Sequence, residues 1–103
     1  MFIAIVQIPM AKRQRDAAVD SARKSAPTYT ALGAKGLLKK YYLNGEAGGG
    51  GVYVWESEAA ARTWYTPEWE TRMEAAFGAK PTVTYYDNHV VVDNEAGKVT
   101  VDE

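Results

Sequence analysis

Whatever chemistry this 103-residue chain performs must come from one histidine, seven tyrosines, three tryptophans and a pair of adjacent lysines. His89 is the single imidazole, and strand alternation puts it on a face with Tyr85, Asp87 and Val91. Its ordinary pKa near neutrality suits a general base, although a lone strand histidine is more commonly a surface or interface residue. Lys39-Lys40 and Tyr41-Tyr42 follow each other in one extended segment, so one of each pair faces either side. A lysine beside an apolar pocket can stabilise a phenolate or enolate, and the plainer alternative is a stem that snorkels to solvent. Tyr53, Trp55, Trp64, Tyr65 and Trp69 offer phenol and indole donors on large apolar rings. They read either as packed core or as an aromatic cage for a planar, oxygenated ligand.

Other chemistries are excluded by composition. There is no cysteine, hence no disulfide framework, thiolate metal site or cysteine nucleophile. No His-x-x-x-His is present and the acids are scattered, so no metal site is expected. Twelve basic against 13 acidic residues give a net charge of -1, which leaves no electrostatic footprint for nucleic acid. The run Gly48–Gly51 resembles a phosphate cradle only superficially. Such a loop opens a helix, commonly with Lys-Ser or Lys-Thr after its last glycine, whereas these glycines lead into the strand-like Val52-Tyr53-Val54-Trp55. With Asn44-Gly45 just before them, they are expected to form a hairpin connection.

The elements that must position these residues follow from pattern. Phe2–Ile8 reads as a strand buried on both faces and ending at Pro9. Residues 11–24 favour a helix with a thin apolar stripe, Ser25 and Pro27 mark a fresh helical start, and Gly33 a stop. Residues 36–44 and 52–56 are strands. Ser57 caps a short helix, and Thr66-Pro67-Glu68 starts another that Gly78 ends. A last strand runs from Pro81 to about Val92, and residues 93–103, with alternating Val99 and Val101, form an arm or tail. The order βαββαβ implies an α+β, ferredoxin-like fold over residues 1–92, an antiparallel sheet with helices on one face. The apolar start MFIAIVQI is too short for a signal or membrane segment, so a cytoplasmic protein without membrane contact is expected.

The run Gly36-Leu37-Leu38-Lys39-Lys40-Tyr41-Tyr42-Leu43, the glycines, and Gly51-Val52-Tyr53-Val54-Trp55-Glu56-Ser57 resemble the YdhR-like monooxygenase family. More broadly, the chain resembles the dimeric α/β-barrel superfamily of antibiotic-biosynthesis monooxygenases, haem-degrading enzymes and stress-response proteins. The resemblance implies a homodimer with sheets packed face to face, and a pocket between helices and sheet in each protomer. It matches Trp55 to the pocket-lining aromatic that ends the third strand, and Lys40 and Tyr42 to the Lys-x-aromatic of the second. Two positions depart from the pattern: Lys35 replaces a proline, and Trp64 stands where many members carry a histidine nine residues after the strand-three tryptophan. A base or iron ligand is therefore missing there. The reading is a cofactor-independent monooxygenase of a small aromatic or quinol-like substrate. Its catalytic candidates are Lys40, Tyr42 and His89, with Tyr53, Trp55, Trp64, Tyr65 and Trp69 binding substrate. The alternative is a non-catalytic dimeric ligand-binding or stress-response protein.

Overall fold

The computed structural model describes residues 1–102. Four strands, β1 (Phe2–Ile8), β2 (Leu37–Gly45), β3 (Gly48–Trp55) and β4 (Thr82–Asp87), form one sheet in the order β2-β3-β1-β4. Every neighbouring pair is antiparallel. Helices α1 (Arg15–Ala31), α2 (Glu58–Trp64) and α3 (Pro67–Phe77) complete the βαββαβ order. This is the ferredoxin-like α+β fold that the element order implies. Strands β5 (Val90–Asp93) and β6 (Lys98–Val101) pair only with each other, as a separate hairpin. Among the described residues no helix is long and apolar enough to cross a membrane.

The core is one layer between helices and sheet. Phe2, Ala4, Val6 and Ile8 of β1 point into it, with Leu37, Tyr53, Trp55, Ala61 and Trp69. Among the described residues no element covers the opposite face of the sheet. Pairing aligns rows there: Tyr86, Ile3, Val54 and Lys39 in one, Thr84, Ile5, Val52 and Tyr41 in the next. Tyr41 and Tyr86 are more than half exposed.

Local signals explain the helix starts. The Ser57 hydroxyl accepts from the Ala60 amide, and the Thr66 hydroxyl from the Trp69 amide, with Pro67 at the first turn of α3. Gly78 ends α3 in the left-handed region. The first helix differs from expectation: it begins at Arg15 and runs unbroken through Ser25 and Pro27 to Ala31. Proline removes one helical hydrogen bond. Here the turn continues because Tyr29 and Leu32 beyond it are anchored on the core.

The glycines are also placed differently. Gly48–Gly51 belong to β3, and the hairpin connection is the two-residue turn Glu46-Ala47. The reason lies across the sheet. Gly50 has φ +131°, and a Cβ there would overlap the Val6 carbonyl oxygen of β1. The strand is glycine-rich to let β1 approach.

Candidate functional site

A cavity of about 170 Å³ lies between α1, α3 and the sheet. Lys40, Tyr29, Tyr42 and Tyr53 line it, with Met73 and Phe77 of α3 on the far wall. Three local features build it. A bulge between Leu37 and Lys39 sets the phase of β2, so that Lys40 and Tyr42 turn to the helices while Lys39 and Tyr41 turn away. Gly51 leaves the next strand bare: a Cβ there would stand 3.1 Å from both Lys40 Cε and a Tyr53 ring carbon. Tyr29 reaches down from the C-terminal half of α1 and meets Tyr42 and Tyr53 edge-on, at centroid distances of 6.2 and 5.7 Å.

The Lys40 amine sits among these rings. Its Nζ is 3.3 Å from the centroid of Tyr29, 4.0 Å from Tyr42 and 4.7 Å from Tyr53. Among the described residues no carboxylate lies within ion-pair distance of it. Burial without a counter-ion pulls the ammonium down to about 7, while the ring faces favour the charged form. The amine is therefore divided between base and cation near neutral pH. The tyrosines move the other way. Burial raises Tyr29, and burial together with the Tyr29 phenol carries Tyr53 far above 10. Both remain neutral donors. The Tyr42 hydroxyl bonds Ser25 Oγ at 2.8 Å, tying β2 to α1 at the cavity's edge.

Lys40 also borders a larger, open groove of about 360 Å³ on the outer side of β2, with Ala26, Thr30 and Leu38. A ligand could thus approach the amine from the edge of the sheet. On the inner side, Arg13 enters from the β1–α1 loop. Asn44 holds that loop reciprocally: its Oδ1 accepts from the Arg13 amide and its Nδ2 donates to the Arg13 carbonyl, both at 2.9 Å.

The remaining sequence candidates are distributed otherwise. Tyr53 lines the cavity. Trp55 is fully buried, and its indole Nε1 donates to Tyr65 Oη at 3.2 Å, so its polar handle is spent inside the core. Trp64 packs edge-on against Tyr29 from α2, outside the cavity lining. Tyr65 and Trp69 border a different open groove with Pro81, Val83 and Tyr85. The five aromatics therefore do not form one cage. His89 lies in the two-residue gap between β4 and β5 rather than on a strand face, exposed, with Nδ1 3.6 Å from Asp102. It is not brought to the Lys40 cavity. Tyr29 was not singled out by the sequence. Among the described residues no three His, Asp or Glu side chains converge as a metal site would require.

No protein-family model matches the chain. No curated protein matches it either. Three solved chains do, among them the crystal structure of a "putative antibiotic biosynthesis monooxygenase" from Deinococcus radiodurans. It is 13% identical, with a TM-score of 0.60, over 90% of this chain and 97% of that one. At this identity the likeness establishes the shared ferredoxin-like fold.

Proposed function

We propose that this chain is a cofactor-independent monooxygenase of a small aromatic or quinol-like substrate, phenolic in the reading below, a dimeric α/β-barrel protein of the antibiotic-biosynthesis monooxygenase type that resembles the YdhR-like group in its strand motif. The observation that carries the reading is the Lys40 amine, enclosed by three tyrosine rings on a helix–sheet cavity and lacking a counter-ion. A cavity of 150 Å³ holds benzene, so about 170 Å³ suits one substituted ring.

In this reading the neutral amine takes the substrate's phenolic or enolic proton, and the resulting ammonium pairs with the anion. The electron-rich carbon attacks dioxygen, forming a C–O bond and a peroxide anion. That anion takes back the proton. Loss of water then breaks the O–O bond and leaves a carbonyl, one oxygen atom in product and one in water. The attacked carbon gives up its own hydrogen in that loss of water, and the substrate supplies all four electrons that reduce dioxygen. An ordinary phenol near 10 facing an amine near 7 makes the first transfer uphill by about 4 kcal/mol, so acidified phenols and enols are favoured substrates. Tyr42 and Tyr29 orient the ring oxygen, and Tyr53 forms the floor. Trp55, Tyr65 and Trp69 support that floor as core rather than touching substrate, and His89 has no part.

The open sheet face supports a homodimer, because the rows through Ile3, Val54, Ile5 and Val52 would otherwise face water. The β5–β6 hairpin presents Val90, Val92, Val99 and Val101, each more than half exposed, and is read as an arm resting on the partner protomer.

An oxygen electrode tests the activity. Purified protein without added cofactor should consume oxygen with an anthrone or quinol panel. Lys40→Met should slow it about 100-fold or more, the usual range for loss of a general base, and Tyr42→Phe should slow it too, while circular dichroism is unchanged. Binding without oxygen uptake across the panel would instead favour a non-catalytic ligand-binding protein.

A further inference from the structure

Arg13 carries an inference that rests on the reading above and narrows it. It lines the inner cavity beside Lys40, and its Nε is buried without a hydrogen-bond partner. Two of the other four arginines are paired, Arg15 with Asp16 at 2.8 Å and Arg62 with Glu58, while Arg23 and Arg72 have no ion pair among the described residues; what sets Arg13 apart is its buried Nε. Among the described residues Arg13 has no carboxylate within ion-pair distance. The cavity itself contains none, since its lining holds Arg13, Lys40 and hydroxyls but no Asp or Glu. A buried guanidinium N–H left unmatched costs about 1–3 kcal/mol, and a permanently charged guanidinium beside a partly protonated amine, with no acid in the lining, gives the cavity a positive potential in a space of low dielectric. The reciprocal Asn44 bonds fix the Arg13 backbone against β2, and its side chain lines this cavity as well as an open groove beside Arg15 and Leu43.

We infer that the ligand of this cavity is an aromatic acid, a single planar ring bearing a carboxylate that Arg13 binds while the ring's oxygen function meets Lys40 among the tyrosines. A guanidinium matches a carboxylate through parallel N–H donors, which a lysine in its place could not do. The apolar wall of Val6, Ile8, Met73 and Phe77 suits the ring between the two charged ends. Ser21 adds a hydroxyl to the lining, where Ser25 is already held by Tyr42 and the Ala22 carbonyl, and no acid lines the cavity.

The test is a titration of the full-length protein at pH 7.5, followed by intrinsic fluorescence and calorimetry, with 4-hydroxybenzoate, its methyl ester and phenol. The acid should bind about 10- to 100-fold more tightly than the ester, the range expected of a charge-assisted hydrogen bond. Arg13→Gln should bring the acid down to the ester's affinity and leave the ester unchanged, while Arg13→Lys keeps part of the preference. Equal binding of acid and ester to the wild-type protein would overturn the inference even if Arg13→Gln failed to fold. Loss of acid and ester binding alike in Arg13→Gln would do the same. These outcomes leave the oxygenase reading standing, because neutral quinols would still bind and react. Failure of all three compounds to bind at millimolar concentration would overturn both.

Discussion

Replacing Lys40 by methionine should stabilise the folded protein at neutral pH and remove a distinct pH dependence. The side chain keeps its unbranched shape as far as Cε and loses the ammonium. In the unfolded chain this amine holds its proton up to 10.5, and in the folded chain only to about 7. Between those values the unfolded state binds more protons, so the wild-type protein gains stability as pH rises through this window. Below about 7 the folded state must bury the full cation, and the penalty is complete. The gap alone corresponds to about 5 kcal/mol at 1.36 per unit. Lys40 is only partly buried and borders the outer groove, so solvent screening cuts this figure. Three ring faces return roughly 0.5–2 kcal/mol to the cation. The net expectation is that Lys40→Met is more stable by about 1–3 kcal/mol at pH 6.5, with most of the advantage gone by pH 9.5. Urea unfolding of both proteins across that range, at one fixed protomer concentration, measures the difference. Tyr29, Tyr42, Tyr53 and Arg13 face the same cavity in both proteins and cancel in the subtraction. A difference that stays flat with pH, or a variant less stable at pH 6.5, would refute the reasoning.

Three further outcomes follow from the same structure. Gly50→Ala should destabilise by several kcal/mol or prevent folding, because φ +131° and the Val6 carbonyl both exclude a side chain; thermal unfolding reads it. Trp55→Ala should cost about 3–5 kcal/mol of stability, by chemical denaturation, as removal of a buried core ring does. Sedimentation velocity should give a dimer of the 11.3 kDa chain at micromolar concentration, and truncation after His89 should raise its dissociation constant, while a persistent monomer would discard both the sheet-to-sheet contact and the arm.

The sequence carried the topology well and the site only in part. Element order was legible because caps at Ser57 and Thr66 and the stop at Gly78 are local signals, and each is used as such. Alternation showed that one of Tyr41 and Tyr42 must face the helices. The bulge at Leu37/Lys39, which decides that it is Tyr42, leaves no mark in composition. The glycines misled because a residue without a side chain looks like slack locally, whereas Gly50 answers to a carbonyl on another strand. Trp55 misled in the opposite direction. Nothing in the spacing of Trp55 and Tyr65 shows that their polar atoms satisfy each other, which makes them core rather than cage. Tyr29 escaped notice because it lies beyond a proline that reads as a break, and Arg13, in sequence one of three basic residues near a helix start, sits in a loop held by the side chain of Asn44. Asn44 itself had been legible only as a turn residue.

The crystal structure of the protein with a phenolic ligand bound at saturation tests the central claim most directly. The account expects the ring inside the helix–sheet cavity, stacked over Tyr53, with its oxygen within hydrogen-bond distance of Lys40 Nζ and density continuing toward Arg13 for an acid. Ligand found instead in the open groove beside Tyr65 and Trp69, with the Lys40 cavity filled only by water, would contradict it.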